Sequence, residues 1–87
     1  MAIAKNFNIY TTNQESAAAI AYNLVVNTVS VKNADVKNDG KEIFVAVELS
    51  QPAYGATEQA VINTMGWFVE MKAGSNHYEN VTRIVIA

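Results

Sequence analysis

Hydrophobic and polar residues alternate in four stretches of the chain, which is the pattern of half-buried β-strands. The third stretch is the clearest, because every second residue from Ile43 to Leu49 is a large aliphatic. Alternation in the second stretch breaks near Asn33, which predicts a β-bulge. The four predicted strands cover residues 7–10, 29–32, 43–49 and 81–87.

A first helix is predicted between the first two strands, over residues 13–28. Thr12 and Glu15 have the spacing of a capping box, in which the hydroxyl accepts an early helix N–H and the carboxylate returns to the Thr12 amide. The sequence Asn-Asp-Gly at 38–40 then predicts a tight turn, because Asp and Gly tolerate positive φ angles. Strands two and three are therefore expected to form a hairpin.

A second helix is predicted from Thr57, as the N-cap, to Ala73, with Gly74 as the C-terminal stop. Residues 50–55 before it contain Pro and Gly, which is typical of a loop. Residues 75–80 after it are polar and are expected to be a connection.

The resulting order βαββαβ predicts one α+β domain over residues 1–87. Two right-handed crossovers place both helices on the same face of a four-stranded antiparallel sheet, which is the ferredoxin-like plan of two layers. Topology alone is shared by many unrelated families, and no signature residues of a particular family are present.

Composition narrows the function classes. Apolar residues make up 51% of the chain and charged residues only 16%, below the roughly 25% of an average soluble domain. The net charge of −2 disfavours binding to nucleic acid or to an anionic membrane. The absence of Cys excludes disulfides and thiolate zinc sites. With no export signal and no apolar run of about 18–20 residues, we expect a cytoplasmic protein.

Both helices carry more apolar residues than one sheet face can cover. Tyr22 and Val26 lie opposite the predicted core side of the first helix, and Trp67 and Met71 lie opposite that of the second. Trp is enriched at interaction hot spots, and Met adapts to irregular partners. These four residues form the first predicted partner-binding surface. The alternative is a rotated helix that packs Trp67 against Tyr22 or against the loop at 52–54.

The open sheet face and the last strand form the second predicted partner-binding surface. Tyr10 and Phe44 are expected there as large exposed aromatics. The last strand adds either Arg83 and Val85 or Thr82 and Ile84, and Val85 is counted with the partner-binding residues. The last strand has one charge, whereas the strand at the opposite edge carries Lys32 and Lys37. Since exposed strand edges are usually protected by Lys or Pro, the last strand is expected to pair across a subunit boundary.

Catalytic chemistry has little support in the residue spacing. Ser75 and His77 are too close along the chain to suggest a triad. A metal site would depend on the single His, and the four glycines never have phosphate-loop spacing. We expect no catalytic residue, no metal site and no cofactor.

The main hypothesis is a non-catalytic binding module that acts through protein–protein contact as a homodimer or small oligomer. Its size and composition are compatible with an inhibitor or accessory protein, of viral or mobile-element type, that acts on a host factor.

Two alternatives belong to other classes. A dimeric α+β barrel would bind a small ligand, as a carrier or a cofactor-free enzyme, with Tyr54, His77 and Tyr78 in contact with it. A single-stranded RNA-binding module would stack bases on Tyr10 and Phe44. The RNA alternative lacks the basic signature of RNA-recognition strands, and the third strand carries Glu42 and Glu48.

Overall fold

Four antiparallel strands and three helices make up the chain in a computed structural model that describes residues 1–87. The strand order in the sheet is β2-β3-β1-β4, so β2 and β4 form its edges. The elements are β1 (Ala2–Thr11), α1 (Gln14–Asn27), β2 (Val31–Asn38), β3 (Ile43–Gly55), α2 (Glu58–Ala73), α3 (Ser75–Tyr78) and β4 (Val81–Ile86). The predicted α+β class with a four-stranded antiparallel sheet is confirmed.

One face of the sheet supplies the core. Phe7 and Ile9 of β1 are fully buried, and each lies opposite a buried valine of β3, at 47 and 45. Because side chains alternate across a strand, the other face of the same strands remains outside this core. The buried residues of α1 and α2, including Leu24 and Val69, belong to the same cluster as those of the sheet.

The predicted N-cap of α1 is wrong by one residue. Asn13, not Thr12, has extended backbone angles at the cap, and its side-chain oxygen accepts the N–H of Ser16 at 2.7 Å. Asn is at least as good an N-cap as Thr, so the neighbouring residue takes the position.

The limits of α2 are confirmed. The Thr57 side chain accepts the N–H of Ala60, 3.1 Å away. At the other end, Gly74 has a φ of +101°, a value that L-residues with a Cβ rarely adopt.

Two segments predicted as irregular are regular. Residues 50–55 continue β3, and Tyr54 pairs with Ile3 at the start of β1. The register shifts between Ala4 and Asn6, so Pro52 lies where β3 has no regular partner on β1 and removes no ladder hydrogen bond. Residues 75–78 form the short helix α3 instead of a connection.

The turn between β2 and β3 follows the prediction, whereas the predicted bounds of the second strand are wrong. The strand runs from Val31 to Asn38 instead of over residues 29–32, because its pairing with β3 extends to the turn. Gly40 has a φ of +90°, and the Asp39 carboxylate accepts the N–H groups of Lys41 and Glu42 at 3.0 and 2.8 Å. The bulge in β2 falls between Val31 and Asn33, next to its predicted position.

Candidate interaction surfaces

The outer side of the two long helices is apolar and exposed. Tyr22 and Val26 of α1 are 66% and 59% exposed, and Trp67 and Met71 of α2 are 55% and 61% exposed. All four lie away from the sheet, because the opposite sides of their helices are buried. We call these four residues the helix surface.

Trp67 makes no aromatic pair with Tyr22 or Tyr54, the residues that the rotated-helix alternative would place against it. Its ring meets Phe68 of the same helix edge to face, with centroids 5.5 Å apart. More than half of the side chain remains accessible. Since a covered Trp buries roughly 150–250 Å², a partner has substantial apolar area to cover at this position.

Two asparagines of α1 make their side-chain hydrogen bonds within the helix. Asn23 donates to the Ala19 carbonyl at 2.8 Å, and Asn27 donates to the Asn23 side chain at 3.2 Å. The only charged residue of the helix, Glu15, lies in its first turn. No charge therefore interrupts the apolar side around Tyr22.

The open sheet face carries a row of four directly opposed side chains across the strands. Lys37 of β2 lies opposite Phe44 of β3, Phe44 opposite Tyr10 of β1, and Tyr10 opposite Arg83 of β4. The two aromatic rings are 5.0 Å apart, and the Arg83 guanidinium lies 3.8 Å from the Tyr10 centroid. We call these four residues the sheet row.

The expectation of large exposed aromatics on this face is wrong in degree. Tyr10 and Phe44 are half-buried, because each covers the other and Arg83 covers Tyr10. Val85, in the next row opposite Asn8, is also half-buried.

Carboxylates compensate most of the positive charge on the open sheet face. Arg83 makes a 2.8 Å ion pair with Glu42. Lys5 and Lys32 each lie 3.8 Å from Glu48. Lys37 of the sheet row makes no ion pair, so the field available to a phosphate backbone is small.

The predicted small-ligand residues do not converge. Tyr54 is on β3, where it lies opposite Ile3 of β1. His77 is on α3, and its ring is hydrogen-bonded to Ser16 in the first turn of α1. Tyr78 places its hydroxyl against Gly66 of α2. The apolar cavity between β3 and α2 measures about 210 Å³, below the roughly 300–1,000 Å³ of small-molecule sites, and contains none of the three predicted residues. The groove between α2 and β4 measures about 580 Å³ and is lined by Tyr78, but not by Tyr54 or His77.

One polar cluster was not predicted. The Ser16 hydroxyl lies 3.2 Å from His77 Nδ1 and accepts a 2.9 Å hydrogen bond from the Asn80 side chain. Ser16 is 2% exposed, and none of the cavities reaches it. The pairing joins residues 61 positions apart, so no local spacing in the sequence signals it.

No group of three or more His, Asp or Glu side chains is arranged to hold a metal ion. None of the helices combines the length and apolar character that crossing a bilayer requires. Comparison with known protein families, with curated proteins and with solved structures finds no match for this chain.

Proposed function

We propose that this chain is a non-catalytic binding module that acts through protein–protein contact, as a homodimer or small oligomer. The observation that carries the proposal is the helix surface, where Tyr22, Val26, Trp67 and Met71 are all more than half exposed. Fully burying one such side chain contributes about 1.5–3 kcal/mol. A twofold interface uses every contact twice, so each of these side chains contributes twice to association.

The ferredoxin-like plan is part of this proposal. The strand order β2-β3-β1-β4 and the shared core of α1 and α2 support it. In this plan one layer is made of helices only, so their outer sides are covered by nothing else in the same chain.

Sedimentation equilibrium tests the proposal with two single substitutions. Val26→Lys places a charge in the helix surface and is expected to turn a concentration-dependent dimer into a 9.5 kDa monomer. Val29→Lys is the matched control, because Val29 is 99% exposed just beyond α1 and outside the helix surface. A wild type that remains a monomer at tens of micromolar, or equal effects of both substitutions, contradicts the proposal.

Single-stranded RNA binding is a second candidate, and the sheet row favours it. Two adjacent aromatics with a cation at each end resemble a stacking platform, since bases stack on aromatic rings and on guanidinium planes. Retention of an oligouridine that weakens with salt and is lost in Phe44→Ala supports this candidate. Retention that is equal in wild type and variant contradicts it.

An inhibitory role toward a host factor, of viral or mobile-element type, stays a prediction from size and composition.

A further inference from the structure

The edge strand β4 has an unpaired side whose hydrogen-bonding groups can be identified from the register. The Ala87 N–H donates to the Asn6 carbonyl at 2.9 Å, and Val85 lies opposite Asn8. In an antiparallel ladder, hydrogen-bonded pairs alternate with non-bonded pairs. Residues 83, 85 and 87 therefore bond to β1, and Ile84 and Ile86 direct their N–H and C=O groups away from the sheet.

This edge lacks the protection that the other edge has. β2 carries Lys32 and Lys37 and a bulge near Asn33, each of which discourages pairing with another strand. β4 has one charged residue, Arg83, whose guanidinium lies over Tyr10 on the open face. No other residue of β4 is charged.

A groove of about 580 Å³ runs beside this edge, between β4 and α2. Its apolar walls include Ile62, Trp67 and Ile84. Gly66 allows Tyr78 and Ile84 to approach α2 closely, because a Cβ there would lie 3.3 Å from the Tyr78 hydroxyl and 3.6 Å from the Ile84 side chain. A strand added to β4 would direct every second side chain into the groove.

The groove is acidic at one end and apolar at the other. Glu70 and Glu79 line it, are exposed, and make no ion pair, whereas Arg83, which also lines it, is paired with Glu42. Both glutamates lie near the beginning of β4, because only the short helix α3 separates the end of α2 from that strand. Ile62, from the first half of α2, lies toward the other end.

We propose that β4 binds an extended, basic segment of a partner protein as an additional strand, with apolar side chains beside Ile62 and Trp67 and a Lys or Arg beside Glu70 and Glu79. Main-chain hydrogen bonds to Ile84 and Ile86 would supply affinity, and the groove would supply specificity. This surface and the helix surface have only Trp67 in common.

A second copy of the chain fits this groove less well. Antiparallel pairing of two β4 strands would join two sheets into one, with the helices of both copies on the same side. The residues that the partner strand directs toward the groove would then be its own Ile84 and Ile86. Neither residue brings a positive charge to the carboxylates. The charge of the groove thus selects a foreign basic segment.

Fluorescence polarisation with a defined probe tests the charge requirement. The probe is an amidated peptide, Thr-Val-Thr-Val-Thr-Lys-Thr, with fluorescein on its N-terminal amine, and its two Val and one Lys share one face of a strand. Since exposed ion pairs contribute roughly 0.2–1 kcal/mol, Glu70→Gln is expected to weaken binding about threefold and the double variant with Glu79→Gln about tenfold. Glu58→Gln, in the first turn of the same helix and outside the groove, should leave binding unchanged.

Two peptide controls separate strand pairing from simple charge attraction. Replacing the Lys of the peptide with Glu, or its central Val with Pro, should abolish binding. Binding that survives the Pro peptide, or that is equal in Glu58→Gln and Glu70→Gln, overturns the proposal.

Hydrogen exchange identifies the edge that the peptide uses. In the wild type, the peptide should slow exchange of the Ile84 and Ile86 amides, and Ile86→Pro should abolish binding because it removes one outward N–H. If Ile86→Pro does not fold, the exchange measurement alone shows whether the peptide binds at β4.

A wild-type dimer that is lost in Ile86→Pro overturns the proposal, because a second copy then occupies the edge. Peptide binding that persists in Val26→Lys separates this proposal from the dimer contact.

Discussion

The Arg83 guanidinium lies over the Tyr10 ring, 3.8 Å from its centroid, and donates to the Glu42 carboxylate at 2.8 Å. The Arg83 side chain thus extends from the edge strand β4 over β1 and reaches Glu42, which directly precedes β3. The contact covers an aromatic that would otherwise face water. It also pairs the only arginine of the chain with a carboxylate, so Lys37 is the cation of the sheet row that makes no ion pair.

Replacing Arg83 with Met should lower the free energy of unfolding by about 0.5–1.5 kcal/mol. An exposed cation–π contact contributes about 0.5–1 kcal/mol and a surface ion pair somewhat less. Lys37→Met is the matched control, because Lys37 stands at the other end of the sheet row and makes no ion pair. Urea unfolding measures both variants, and equal losses would contradict the assigned contact.

The N-cap assignment gives a second prediction. Asn13→Ala should lower the free energy of unfolding by about 0.5–2 kcal/mol, because it leaves the Ser16 N–H without its 2.7 Å acceptor. Thr12→Ala, one residue earlier, should change it much less. Thermal unfolding of the two variants distinguishes them, and a larger loss from Thr12→Ala would restore the capping box that the sequence suggested.

The central part of the third strand and the long helices were predictable because their signals are local. Alternation from Ile43 to Leu49 defines a buried face without knowledge of the partner strand. Thr57 and Gly74 stand at the ends of a clear helical pattern, and both act as caps in the structure. The candidate helix surface follows from the same periodicity, since it contains the apolar residues that the core side cannot include.

The missed features depend on distant residues. Residues 50–55 become strand because the start of β1 pairs with them, an event that outweighs the local Pro and Gly. Tyr10 is half-buried because Arg83, 73 positions away in the sequence (83 minus 10), covers it. The free side of β4 depends on register, which a single sequence does not define.

The hairpin turn gives a prediction about pH. Two hydrogen bonds hold the pKa of Asp39 below its ordinary value of 3.8. The larger effect comes from the Glu42 N–H and the smaller one from the Lys41 N–H. A lowered pKa means that the carboxylate stabilises the fold above pH 3.8 and that this stabilisation is lost as the pH falls through the lower folded value. Asp39→Asn should therefore be less stable than wild type near neutral pH, and the difference should shrink in acid. A difference that stays constant over this range in urea unfolding would contradict the assignment.

Ser16 and His77 have the spacing of a nucleophile and a base, yet their surroundings predict a structural role. The hydroxyl is buried and already accepts a hydrogen bond from Asn80, so no substrate atom can approach it. A fluorophosphonate probe should leave the wild type unlabelled. Ser16→Ala should instead cost about 1–2 kcal/mol of unfolding free energy, because the Asn80 amide and the His77 ring lose a partner. Ser75→Ala should leave the free energy of unfolding unchanged, because Ser75 is exposed. Stoichiometric labelling at Ser16 would refute this interpretation and return the chain to the class of serine enzymes.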